Sequence, residues 1–151
     1  MIRSSTIRDN ERAARGSTLP WSQVRGSLKL DAAGLIPAIA QQHDTGEVLM
    51  MAWMNLEAID ETLATGRVCY YSRSRSRLWR KGETSGQVQH LREMRIDCDG
   101  DTLLLLVEQK GPACHTGRAS CFYNRIDGDV VEVVSDPLID PDKLYEGRGD
   151  T

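Results

Sequence analysis

The chain has 151 residues, with 22 acidic against 19 basic side chains, a formal net charge of −3 and a sequence pI of about 5.6. That length suits one domain able to bury its own core, and the acidic balance excludes a global field that would hold a nucleic-acid backbone. No apolar run approaches the roughly 20 residues that cross a bilayer, so no membrane partner is expected. No signal-peptide pattern precedes the four cysteines, which points to a reducing, cytoplasmic setting.

Residues 1–26 carry Arg3, Arg8, Arg12, Arg15 and Arg25 among few apolar positions and read as a polar N-terminal extension. A single domain is expected over 27–135, and 136–151, rich in Asp and Gly, reads as an acidic C-terminal tail. Alternation and β-branched content predict strands over 38–42, 47–53, 68–72, 88–97, 102–108, 120–125 and 130–134. One helix is expected after Asn55, an N-cap residue, with Leu56, Ile59 and Leu63 along one face and Gly66 placed to end it. It would cover one side of the sheet. Turn signals at Asp44-Thr45-Gly46, Asp99-Gly100 and Asp127-Gly128-Asp129 favour hairpins over βαβ crossovers. The expected fold is therefore mainly β, a β-rich α+β domain.

The densest chemistry lies at Asp97-Cys98-Asp99-Gly100-Asp101, where three carboxylates and a thiol share five residues. Carboxylates suit a hard cation such as Mg²⁺ and thiolates suit Zn²⁺, so both donor types together point to a two-metal or mixed-metal site. On an extended segment Asp97, Asp99 and Asp101 share one face and Cys98 takes the other. An EF-hand is excluded, because its sixth position holds Thr102 where Gly is required and a run of leucines follows. Cys114 and Cys121 are too far apart for a zinc knuckle, yet with Cys98 they would fill three tetrahedral positions on zinc and leave the fourth for water. Cys69, in an apolar and aromatic run, reads as an ordinary core thiol. His115, beside Cys114 and before the tight-loop signal Thr116-Gly117, is a candidate ligand or general base.

A second constellation runs from Tyr70 to Gly82 and concentrates positive charge. If extended, it aligns Arg73, Arg75 and Arg77, whose guanidinium forks suit phosphate, while Trp79 offers a stacking surface. Lys81 adds a further cation, and Thr84 and Ser85 add hydroxyls. A small phosphorylated nucleotide is the natural guest of such a strip.

Three stretches resemble the phosphoribosyl-AMP cyclohydrolase family of histidine biosynthesis: Trp79-Arg80-Lys81-Gly82-Glu83-Thr84-Ser85-Gly86, Asp97-Cys98-Asp99-Gly100-Asp101, and Gly111-Pro112-Ala113-Cys114-His115-Thr116-Gly117 with Ser120-Cys121-Phe122. The resemblance extends from about Leu35 to Arg125. It implies a pseudo-barrel of antiparallel strands capped by a helix and assembled as a homodimer. It also implies Mg²⁺ on Asp97, Asp99 and Asp101, and Zn²⁺ on Cys98 with Cys114 and Cys121 of the partner subunit. The implied reaction opens the adenine ring of 1-(5-phosphoribosyl)-AMP between N1 and C6, giving the formimino-aminoimidazole carboxamide ribonucleotide. In that reaction zinc acidifies a water, His115 manages a proton, and Arg73, Arg75, Arg77, Trp79, Lys81, Thr84 and Ser85 contact substrate. Two other readings remain open on the residues. A different zinc nucleotide hydrolase or deaminase would share the water chemistry, although the His-x-Glu and Pro-Cys-x-x-Cys pattern of one deaminase class is missing. An RNA-binding module would need a closed four-ligand structural zinc and salt-dependent RNA affinity without turnover.

Overall fold

The structure, a computed structural model, describes residues 5–144; residues 1–4 of the expected N-terminal extension and 145–151 of the expected tail lie outside the described residues. Eight strands dominate. β1 (Ile36–Gln42), β2 (Val48–Met54), β3 (Cys69–Ser72), β4 (Arg77–Arg80), β5 (Gln89–Ile96) and β6 (Leu103–Gln109) form one sheet in the order β4-β3-β2-β1-β6-β5. β7 (Asn124–Asp127) and β8 (Val130–Val133) form a separate two-stranded ribbon. Three α-helices, α1 (Trp21–Gly26), α2 (Leu56–Thr65) and α3 (Pro141–Leu144), and one 3-10 turn, Ile7–Asn10, accompany them among the described residues. Among the described residues no helix is long and apolar enough to cross a membrane.

Period-2 patterning builds the core. Ile36, Ala38 and Ala40 on β1 alternate inward, as do Leu103, Leu105 and Val107 on the neighbouring β6. The sheet curls far enough for the start of β3 to meet β5, through the bridge between Arg67 and His90 and the bonds Val68 N to Gln89 O (3.0 Å) and Leu91 N to Gly66 O (2.7 Å). Not all pairs are antiparallel as expected: β1 and β6 run parallel. A parallel pair requires a long crossover, and here β2, α2, β3, β4 and β5 together supply it without a dedicated crossover helix. A second departure from expectation is at 120–125, where only Asn124 onward is strand; Ser120 and Cys121 instead dock on β2, with Ser120 Oγ donating to Val48 O (2.7 Å) and Cys121 N to Leu49 O (2.7 Å).

α2 packs one face against β2 and β3. Asn55 Oδ1 caps it by accepting from Ala58 N at 2.8 Å, and Gly66 ends it in the left-handed region at φ +75°. Its buried face is Ala58, Ile59 and Thr62, whereas Leu63 is 44 % exposed rather than inward as expected. Thr62 takes the inner position because its hydroxyl pairs with both the N–H (2.9 Å) and the carbonyl (3.2 Å) of Cys69, so no polar group is stranded. Asn55→Ala is expected to cost about 1 kcal/mol, the typical worth of an N-cap, measured by chemical denaturation.

The described parts of both ends touch the domain. Val24 of α1 is buried and Arg25 pairs with Asp60 of α2 at 2.7 Å. At the other end Leu138 N donates to Gly117 O (2.8 Å) and Arg118 Nε to Ser135 O (2.7 Å), laying 135–138 across the loop that follows β6.

Candidate functional site

The turn between β5 and β6 gathers the three aspartates by a different route from strand alternation. β5 ends at Ile96, and 97–102 folds as a turn in which Asp97 Oδ1 accepts from Asp101 N (3.0 Å) and Thr102 N (3.3 Å). Gly100 supplies the positive φ of +75° that this turn needs. Carboxylate oxygens of Asp97, Asp99 and Asp101 lie within 4.8 Å of one another. Partial burial opposes ionisation of Asp97, yet N–H donors from Asp101, Thr102 and Gly100 outweigh it and hold the carboxyl below its ordinary range. Asp101 is raised, first by its hydrogen bond to Asp97 and also by the charges of Asp97 and Asp99. Crowded carboxylates of this kind fit a hard cation. Cys98 sits exposed on the same turn.

The sulfur pair belongs to the loop after β6. Tight internal bonds hold this loop, from Ala113 N to Ala119 O (3.2 Å), Cys114 N to Arg118 O (3.1 Å) and Gly117 N to Cys114 O (3.0 Å). Gly117 is required there, since its φ is +86° and a Cβ would fall 1.9 Å from Ile139 O. The four cysteines are free thiols. Cys114 is buried and accepts from Thr116 Oγ1 at 3.1 Å, while the Cys121 thiol is pushed up to about 12 by loss of hydration and then by the adjoining Cys114. Two soft donors set side by side suit zinc. Among the described residues, Cys98, Cys114 and Cys121 do not converge within one chain as a three-ligand cluster; only the aspartates do. His115 is exposed on this loop between Cys114 and Thr116.

The expected basic strip is bent. Residues 73–76 turn the chain from β3 into β4, with Ser76 at φ +52° and Ser72 Oγ accepting from Arg75 N (3.3 Å), so Arg73, Arg75 and Arg77 do not align on one strand face. Arg73 instead lies over the Trp53 ring at 4.8 Å, and a cavity of about 750 Å³ opens among Trp53, Tyr71, Ser72, Arg73, Arg75 and Trp79. Arg77 is not part of that lining. Trp79 also packs against Tyr70, centroids 5.5 Å apart, and the Tyr70 hydroxyl donates to Gln89 Oε1 at 2.7 Å inside the core.

Lys81 turns inward. It is 8 % exposed, its Nζ donates to Ala113 O at 2.8 Å, and it stands 5.8 Å from the Trp79 ring. Burial pulls its ammonium below the ordinary lysine range, opposed by Cys121 and Cys114. The segment after it is wound tightly: Gly82 has φ +81° and a Cβ there would meet the Gln87 backbone at 2.5 Å. That winding buries Ser85, whose Oγ accepts from Gln87 N (3.2 Å), and leaves Thr84 half-buried. Gln87 in turn reaches Gly111, where a Cβ would fall 1.7 Å from its Oε1. Residues 79–87 and 111–121, distant in sequence, are thus one unit. Sequence reasoning missed Trp53 as a cavity wall, although the neighbouring aromatic positions on β3 were a signal for it.

Fold and site together define a β-rich enzyme domain with an aromatic and arginine-lined cavity, a carboxylate cluster and a sulfur pair. A family model described as phosphoribosyl-AMP cyclohydrolase matches residues 50–123. Proteins named phosphoribosyl-AMP cyclohydrolase from Alkalilimnicola ehrlichii and Halorhodospira halophila are 67 % and 65 % identical, each over 92 % of this chain and 98 % of the relative. One from Hydrogenovibrio crunogenus is 56 % identical over 97 % of this chain and 99 % of its own length. The chain belongs to the phosphoribosyl-AMP cyclohydrolase family.

Proposed function

We propose that this chain opens the adenine ring of phosphoribosyl-AMP by hydrolysis of the N1–C6 bond, working as a homodimer with zinc on sulfur and a hard cation on the aspartate turn. The activity, that of a hydrolase acting on a cyclic amidine in histidine biosynthesis, follows from family membership. The observation that carries the site assignment is the pairing of Cys114 with Cys121 on a loop bonded through Lys81 to the strand that bears Trp79, a wall of the cavity. Zinc held by three thiolates supplies, when bound, a water acidified towards pKa about 7.

The chain's own residues do the rest. Trp53 and Trp79 offer flat apolar faces to the base, and Arg73 and Arg75 offer guanidinium forks to phosphate. Thr84 and Ser85 remain assigned to substrate through the loop they occupy, and Arg77 to a phosphate from the start of β4. His115 hands a proton to N1 as the C6–N1 bond breaks, which turns a poor leaving group into a neutral amidine nitrogen. Asp97, Asp99 and Asp101 would hold Mg²⁺.

Two observations support the dimer. β7 and β8 are exposed along their whole length, and the ribbon leaves apolar Ile126 81 %, Val131 64 % and Val133 54 % exposed. An isolated two-stranded ribbon is marginal in water and needs a surface to pack on. Cys98, Cys114 and Cys121 also form no three-ligand cluster within one chain among the described residues, which favours a zinc shared between chains.

Incubating metal-replete protein with phosphoribosyl-AMP and following the absorbance change of ring opening tests the activity; absence of turnover with zinc and Mg²⁺ present would overturn it. His115→Ala is expected to lower kcat about a hundredfold, within the usual range for a general acid or base, with KM little changed. A KM effect alone would make His115 a binding residue.

A further inference from the structure

We infer that Lys81 is a positioning residue of the sulfur site: its buried ammonium ties down the 113–121 loop and supplies the fixed positive charge against which the two thiolates are held. The inference rests on the zinc reading above.

A lysine in a strip of arginines invites a phosphate role, but its surroundings differ from theirs. Arg73, Arg75 and Arg77 are exposed, whereas Lys81 is 8 % exposed, with its backbone N–H on Val68 O at 3.1 Å. Buried lysines are rare without a partner, since an uncompensated charge away from water is costly. Among the described residues no carboxylate forms an ion pair with it. Its Nζ donates to the Ala113 carbonyl at 2.8 Å and stands 5.8 Å from the Trp79 ring, and Ala113 is the chain neighbour of Cys114 on the loop that also carries Cys121. The two sulfurs become its anionic partners only as thiolates, the form in which they would bind zinc.

The charge count gives that arrangement a purpose. Three thiolates and one Zn²⁺ sum to −1, and this charge sits where Cys114 is already buried. A neighbouring ammonium brings the cluster to neutrality, and in a poorly hydrated site that compensation is worth more than in water. The bond to Ala113 does a second job. It places the charge one residue from Cys114 and fixes the loop against β4, so that the sulfur pair and the Trp79 wall keep a constant separation. Partners of this kind around a metal, which orient ligands without touching the metal, typically cost 10–100-fold in affinity when removed.

The test measures zinc affinity by competition with a chromophoric chelator on the assembled protein, for the wild type, Lys81→Met, Lys81→Gln, Lys81→Arg and a Cys114→Ser control. Lys81→Met is expected to bind zinc about 10–100-fold more weakly. Lys81→Gln, which keeps a donor for Ala113 O but no charge, should stay with Met, and Lys81→Arg should recover most of the loss. Wild-type affinity in Lys81→Met, or equal recovery by Gln and Arg, would overturn the inference. If circular dichroism shows that Met does not fold, the comparison of Gln with Arg decides alone: Arg binding more tightly supports the charge role, and Arg no better than Gln refutes it. Failure of the zinc reading itself is visible without any Lys81 variant, as wild-type zinc content that Cys114→Ser leaves unchanged, and the inference falls with it.

Discussion

A Cys114→Ser, Cys121→Ser double variant is expected to keep its fold, lose its zinc and turn over substrate at least about a hundredfold more slowly. Partners that only orient metal ligands cost up to about 100-fold when removed, so losing two ligands sets that figure as a lower bound. The fold should survive because the loop is held by its own backbone bonds and by Cys121 N on Leu49 O and Ser120 Oγ on Val48 O, none of which involves sulfur. Serine is close to cysteine in size, and at position 114 its oxygen can still accept from Thr116 Oγ1. Metal analysis together with circular dichroism checks both halves of the expectation. Full zinc content in the folded double variant would refute the sulfur assignment.

How far the sequence reaches can be read from particular residues. α2 was legible because its signals are local: Asn55 caps it, Gly66 ends it, and both act within a few residues. β1 and β6 were legible for the same reason, since their period-2 burial is written in consecutive positions, whereas β4 was not among the expected strands. Which strands become neighbours is not local. Ala38 pairs with Leu103 in parallel register across more than sixty residues, and alternation is the same whichever way a partner runs. The bend at 73–76 was hidden because Ser and Arg tolerate both strand and turn, and the bond there, donated by Arg75 N to Ser72 Oγ, is a side-chain choice.

The candidate site divides along the same line. Candidate oxygen and sulfur donors could be named from the sequence, because donor chemistry belongs to the side chain itself. Their grouping was legible for the aspartates, which share one turn, though the turn and not strand alternation brings them together. The inward course of Lys81 was not. A lysine beside arginines carries every mark of an exposed position, and only the arrival of Ala113 from the far side of the domain offers its ammonium a partner. The docking of 135–138 over Gly117 was illegible for a similar reason, being made by backbone groups that every sequence possesses.

Mixing two inactive variants, Cys98→Ala and Cys114→Ala, after dissociation and reassembly is expected to restore about a quarter of wild-type activity. In the proposed dimer each zinc takes Cys98 from one chain and the sulfur pair from the other. A mixed dimer therefore concentrates both lesions in one site and leaves the second site whole. Random reassembly of a symmetric dimer makes roughly half the molecules mixed, each with one intact site of two, which yields about a quarter. Neither parent recovers alone, because every site in a Cys98→Ala or Cys114→Ala homodimer lacks one sulfur. The same count distinguishes the alternative geometry. If a single chain supplied all three thiolates, each site in the mixture would still lack a ligand, and no activity would return however completely the chains exchanged. Exchange is followed independently by a mass tag on one variant, so silence in the assay with confirmed mixed dimers would remove the shared site. Recovery near a quarter would place Cys98 across the interface from Cys114 and Cys121, and would explain why the three cysteines fail to gather within one chain.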